Sequence, residues 1–343
     1  MVTAKNIVEE ALRLGYDKCG IVPLDRMAEY GQRLEERMER FPHTRPRYEK
    51  FLVFAAPQAQ YPWAKAVVVC SFWYGKYRIP QGLQGRVAKY YLTDGRRNTR
   101  STGYQASVGL ERYLQKQGLR IAFDRDFGVT SLRWAAQEAG LGLIRSNNFF
   151  YTEKGSWQYL EAFLIDQPLE YLHQNTLRPC APGCTLCRRG CPTQALDAPF
   201  SMDRNACISD LTTWSGWDLT REPLRAALGS WVYGCDACQD ACPYNRNAWT
   251  NEAEFPGLEE LSRQLSLVQI VEADYEFLCR VVQPALWYIP PDKLWRYKTN
   301  ALNAMLNRFV PEYRPVIQAA CKDEQEPVRR MAAWVLEQLE EQQ

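Results

Sequence analysis

Two cysteine runs, each closed by a Cys-Pro pair, constrain this chain more than any other feature. The first is Cys180-x3-Cys184-x2-Cys187-x3-Cys191-Pro192 and the second is Cys235-x2-Cys238-x3-Cys242-Pro243, with Cys207 alone between them. In paired iron–sulfur runs of this kind the first three cysteines hold one cubane and the fourth, before proline, ligates the other. The rule predicts one [4Fe–4S] cluster on Cys180, Cys184, Cys187 and Cys242, and a second on Cys207, Cys235, Cys238 and Cys191. The x3 gap after Cys180 is one residue longer than usual, and Pro182-Gly183 can make a turn that absorbs it. The rival is a pair of zinc sites built on the CxxC pairs. Zinc explains neither the two Cys-Pro endings nor Cys207.

Composition agrees with metal chemistry. The chain has 12 cysteines among 343 residues, well under the ~8–10% of a disulfide scaffold. Its N-terminal MVTAKNIVEEALRLGYDKCGI mixes charges into a helical apolar pattern rather than a signal core. A cytoplasmic protein is expected, where thiols stay reduced and metal or redox use is the default. No apolar run approaches the ~20 residues of a membrane span. The net charge of +2 selects no partner. Cys19, Cys70, Cys279 and Cys321 sit among apolar neighbours and read as small buried hydrophobes.

Three segments are expected. Residues 1–175 alternate helical stretches with apolar, β-branched runs such as AKAVVVCSFWY and YLEAFLID, which predicts an α/β or α+β layer structure. Ser107–Gln117 reads as a helix stopped by Gly118. Residues 176–250 are dense in Cys, Pro, Gly and Asn, a ferredoxin-like double-cluster module in which metal replaces part of the core. Residues 251–343 are helical, and their last part suggests helical pairs of the HEAT-like kind. No GxGxxG or Walker-type loop supports a nucleotide cofactor. Lys89, Arg96, Arg97 and Arg100 interleave with Tyr90, Tyr91 and Tyr104, either a stacking platform for nucleic acid or a solvated loop. The tryptophans, including Trp214, Trp217 and Trp231, read as core or cluster shielding.

The chain resembles the epoxyqueuosine reductases nearly end to end. The segments that carry the resemblance are AGLGLIRSNN followed by GSW, the run ending CPTQAL, ACISDLTTW around Cys207, YGCDACQDACPYN, and the terminal PVRRMAAWVLEQL. The resemblance implies an α+β fold with an N-terminal nitroreductase-like cobalamin-binding domain. It also implies a cobalamin-dependent reduction of the epoxide of epoxyqueuosine in tRNA to queuosine. With it come tRNA as partner, an external flavodoxin or ferredoxin donor, and a monomer. It places the corrin against Ala139, Gly140, Leu141, Gly142, Asn147 and Ser156, and makes Asp126 the proton donor, with Asp124 as alternative on the same strand face. Neither His43 nor His173 lies in a D-x-H-x-x-G setting that would supply a cobalt ligand. Arg329 and Arg330 could grip an anticodon stem or serve helix packing.

The chain departs from the family where a D-x-x-P turn and a G-K-[NH]-T segment are usual, reading Asp126-Phe127-Gly128-Val129 and Arg145-Ser146-Asn147-Asn148 instead. Those departures keep open a paralogue that acts on a small-molecule electrophile, as reductive dehalogenases do. An electron-transfer protein is the third reading.

Overall fold

The computed structural model describes residues 2–214, 219 and 223–341, so Trp217 lies outside the described residues. Its centre is a four-stranded sheet. The strands are β1 (Lys18–Pro23), β2 (Ala66–Trp73), β3 (Ile121–Ala122) and, after a small hairpin of β4 (Leu143–Ile144) and β5 (Phe150–Tyr151), β6 (Gln158–Ile165). The order is β1-β2-β6-β3 and every pairing is antiparallel, so the fold is α+β.

β2 reads AVVVCSFW and is buried along nearly its whole length, because both faces of the sheet are covered. Alternation divides its side chains. Val68, Cys70 and Phe72 meet Ile7, Val8 and Ala11 of helix α1 (Ala4–Leu14) and, after helix α2 (Glu29–Arg40), Leu110 and Leu114 of helix α3 (Thr102–Lys116). Val67 and Val69 face the other way, onto Ala135 and Ala136 of helix α4 (Leu132–Glu138). Three layers result, two helical and one of strands.

Helix α3 begins five residues before the expected Ser107, because the Ser101 hydroxyl accepts from the Tyr104 N–H at 3.1 Å and caps it. Gly118 ends it at φ +77. Cys19 and Cys70 are buried and face each other in register across β1 and β2. Cys279 is exposed, contrary to expectation, and Cys321 is half-buried.

The double-run segment carries only short helices, α5 (Leu186–Arg189), α6 (Ile208–Thr212) and α7 (Ala237–Asp240). Beyond it come α8 (Leu267–Glu272), α9 (Trp295–Asn307), α10 (Tyr313–Ala320) and α11 (Glu326–Glu341). Most of α9 is buried. The main apolar cluster crosses the three expected segments, running from Ile7 through Tyr233 and Tyr297 to Leu339, and a smaller one of Ile208, Leu211, Leu219 and Leu228 lies within the second. Strand-type bridges join Val87 to Tyr233 and Tyr77 to Ala253 across the expected boundaries.

The turn after α4 is set by close backbone approach. Gly140 has φ +74, and a Cβ there would stand 1.9 Å from the His173 carbonyl oxygen. Gly140→Ala combines left-handed strain with overpacking and should cost about 2–5 kcal/mol, read as a lowered Tm in thermal unfolding.

Candidate functional site

Backbone turns bring the cysteines together. Pro182 and Gly183 form a β-turn in which the Cys184 N–H donates to the Ala181 carbonyl at 3.0 Å, with Gly183 at φ +72, so the extra residue is absorbed. Gly190 lets α5 and α7 touch, since a Cβ there would lie 2.6 Å from the Ala241 Cβ. Cys180, Cys184, Cys187 and Cys242 then line one small cavity, together with Ser146, Asn147 and Tyr244. Burial raises the Cys180 pKa, but the Ser146 hydroxyl and N–H and the Arg145 guanidinium outweigh it, and the net shift is downward.

The other four thiols form a second group. Burial pushes the Cys207 thiol up to about 11, and the charges of Asp210 and Cys191 add to it. Cys238 is also raised, by burial and then by Cys207, Cys235 and Cys191. Cys207, Cys235 and Cys238 are raised in part by one another and by Cys191, so the four sulfurs lie close together, a donor set that suits an iron–sulfur cluster. Among the described residues no three His, Cys, Asp or Glu side chains converge as a single ion requires.

The C-terminal helices hold this module. Arg296 on α9 donates to the Thr213 and Leu211 carbonyls at 2.6 and 2.8 Å. Asn300 donates to those of Thr212 and Val232 at 2.9 and 2.8 Å. Asn300→Ala strands two buried carbonyls and should cost about 2–4 kcal/mol in chemical denaturation.

Two adjoining cavities lie on the sheet side. The larger, about 890 Å³, is roofed by α2 and floored by the start of α4 and β6. Its wall carries Arg37, Ser131, Arg133, Asn148, Gln158 and Ser201. Arg37 Nε, Ser131 Oγ, Asn148 Nδ2, Gln158 Oε1 and Ser201 Oγ are buried without a protein partner, which leaves five polar groups on the wall for a ligand or water to satisfy. The smaller cavity, about 210 Å³, shares Tyr90, Phe127, Leu132 and Leu160 with the larger, and its wall includes Asp124, Asp126 and Glu161.

The expected residues distribute unevenly. Asp126 stands in the smaller cavity, 39% exposed, and accepts from Arg97 at 2.6 Å. β3 ends at Ala122, so Asp124 is not its strand-mate. Asp124 Oδ1 accepts from the Asp126 and Phe127 N–H groups and shapes the turn. Ser156 lines the larger cavity, and its hydroxyl bonds Gln239 at 2.8 Å, between Cys238 and Cys242. Asn147 faces the cysteine cavity and donates to the Cys238 carbonyl at 3.2 Å, rather than facing the expected corrin site. Ala139, Gly140, Leu141 and Gly142 line neither of these two cavities. Ala139 and Leu141 are core residues, and Gly140 and Gly142 are pressed against the His173 and Tyr151 carbonyls.

Two cations of the basic aromatic segment are engaged internally. Lys89 is held by Asp236 and Asp240, and Arg96 by Asp94. Arg329 donates to the Asp323 and Glu324 carbonyls in the α10–α11 turn, and Arg330 pairs with Glu326 one turn earlier on α11. Trp214 is 44% exposed beside Phe127, and Trp231 packs near Cys235. Sequence reading missed Arg37, Arg133, Gln158 and Glu161. Glu161, a lone carboxylate inside the strand QYLEAFLI, was the one with a visible signal.

Residues 180–245 match the model of the 4Fe-4S double cluster binding domain. The epoxyqueuosine reductase of Cellulophaga algicola is 31% identical over 246 residues, 70% of this chain and 78% of that one. That of Leadbetterella byssophila is 30% identical over 266 residues, 73% and 82% of the two chains. The chain belongs to the epoxyqueuosine reductase family. As a member it is an oxidoreductase with a double-cluster domain. Its fold matches the crystal structure of an epoxyqueuosine reductase with a tRNA-Tyr epoxyqueuosine-modified stem loop, with a TM-score of 0.76, 22% identity, and coverage of 98% of this chain and 89% of that one. No helix among the described residues is long and apolar enough to cross a membrane.

Proposed function

We propose that this chain reduces the epoxide of epoxyqueuosine in tRNA to the alkene of queuosine. Cys180, Cys184, Cys187 and Cys242 hold one [4Fe–4S] cluster, and Cys191, Cys207, Cys235 and Cys238 hold the other. Cobalamin fits the larger cavity, whose unpartnered amide, hydroxyl and guanidinium groups suit the carboxamides around a corrin rim. When bound, it supplies low-potential reduction at a metal centre. Arg37, Asn148, Gln158 and Ser156 orient it, and Asp126 in the adjoining cavity donates a proton to the epoxide oxygen.

The observation that carries this reading is the Ser156–Gln239 hydrogen bond, 2.8 Å long, which joins the wall of the larger cavity to the second cysteine run. A reductant in that cavity would stand against the cluster module. An electron carrier alone would need neither cavity. We read the sheet layer as nitroreductase-like and the last helices as HEAT-like. The protein acts as a cytoplasmic monomer recharged by a flavodoxin or ferredoxin.

Anaerobic protein reconstituted with iron, sulfide and cobalamin should convert epoxyqueuosine-containing tRNA, detected as queuosine after nucleoside digestion. Fully loaded protein that forms no queuosine would refute the reading. A second reading, a small-molecule electrophile, is favoured by the capture of Lys89 and Arg96 in internal ion pairs, which removes two cations from the RNA-facing inventory. Gel shift with epoxyqueuosine-containing stem loop separates the two, since the small-molecule enzyme leaves the RNA unshifted.

A further inference from the structure

Reducing an epoxide to an alkene breaks both carbon–oxygen bonds and forms one carbon–carbon π bond. It consumes two electrons and releases the oxygen as water, so two protons must reach that oxygen in each turnover. Asp126 holds one transferable proton at most, and its carboxylate is engaged by Arg97. The second proton has no assigned source.

We propose that Glu161 is the second acid, delivering the proton that lets the epoxide oxygen leave as water. The inference rests on the epoxide reduction proposed above. The two electrons come from a low-potential donor protein through the clusters. One proton comes from Asp126 and one from Glu161, and both carboxylates recover theirs from solvent between turnovers.

Glu161 sits in the middle of β6, on the wall of the same cavity as Asp126. A carboxylate in an otherwise apolar strand is costly to bury, and it is held deliberately. One oxygen accepts from the Tyr16 hydroxyl and the other from the Ser107 hydroxyl at 2.7 Å. The groups facing it are Tyr16 before β1, Cys19 on β1, Cys70 directly opposite on β2, Ser107 and Glu111 on α3, and Arg125 in the turn after β3. Arg125 spends its Nε on Ser107 at 2.9 Å and another nitrogen on Glu111 at 3.0 Å, so it forms no direct ion pair with Glu161. Burial raises the Glu161 pKa, the hydroxyl bonds and the Arg125 charge draw it partly back, and Glu111 adds to the rise. A carboxyl shifted this way keeps its proton at a pH where an exposed one has lost it.

The test uses the fully loaded enzyme and epoxyqueuosine-containing tRNA. Glu161→Gln keeps the shape and the acceptor for Tyr16 or Ser107 but has no proton to give. It should lower kcat about 100-fold with KM unchanged. In the wild type kcat should fall as pH rises through the raised Glu161 pKa, because the acid form is lost. Glu161→Gln should lack that limb, and Glu161→Asp should partly restore both rate and limb. Independently of turnover, infrared difference spectra across an acid-to-neutral titration should contain a carboxyl band that persists above the pH at which exposed carboxyls ionise, which Glu161→Gln removes and Asp126→Asn leaves. A Glu161→Gln protein with wild-type kcat and pH profile, or a wild type without that band, overturns the role of Glu161 while leaving the reduction intact. A wild type that binds both clusters and cobalamin but makes no queuosine overturns the reduction itself, and this role with it.

Discussion

Cys207→Ser should cost the protein one of its two clusters, with iron and acid-labile sulfide per chain falling by about half. The residue stands outside both runs and caps the start of α6. Its thiol is pushed up to about 11 by burial first and then by the charges of Asp210 and Cys191, so it becomes a thiolate at neutral pH only when cluster iron supplies the opposing charge. A serine hydroxyl has no such acidity and is a poor ligand for cluster iron. Cys191, Cys235 and Cys238 would be left with three ligands for a cubane that needs four. Queuosine formation should be abolished with the lost cluster. Cys279→Ser, at an exposed position away from the runs, should leave iron content unchanged. Equal iron in Cys207→Ser and wild type, or zinc in place of iron, would remove the assignment.

Asp126→Asn should reduce kcat by about 10²- to 10⁴-fold, the range a general acid supplies, while cobalamin and tRNA binding persist. The asparagine oxygen still accepts from Arg97, so the turn that carries it is preserved. Asp124→Asn is the matched control. Asp124 Oδ1 accepts two backbone N–H groups, a role an asparagine oxygen also fills, so its rate should change less than threefold or so. Single-turnover kinetics with preloaded enzyme checks both. Wild-type rates in Asp126→Asn would exclude it as donor.

The contrast between these carboxylates shows where reading along the chain reaches its limit. Asp124 and Asp126 look equivalent if the strand continues, and the spacing RIAFDRDFG allows that. β3 stops after two residues because Asp124 turns back on its own backbone, and of the two carboxylates only that of Asp126 takes no part in the turn's own hydrogen bonds. The AGLG turn misled for a related reason. Small residues permit close approach, and in this fold Gly140 and Gly142 lie against the His173 and Tyr151 carbonyls. The basic aromatic segment invited an RNA-binding reading until Asp236, some 150 residues away, appeared beside Lys89.

What local spacing could say, it said well. Cysteines a few residues apart must present their sulfurs from one loop, and a Cys-Pro pair must send the chain away, so the double-cluster module was legible before any coordinates. The fold class followed from strand and helix periodicities, which are also local. The cavities were not legible. Their walls combine α2, α4, β6 and the segment around Ser201, and whether Gln158 or Asn148 is left unpartnered depends on neighbours distant in sequence. Glu161 is the sharpest case: its meaning comes from Tyr16 and Ser107, which reach it only because β6 lies at the centre of a sheet whose covering helices begin and end far along the chain.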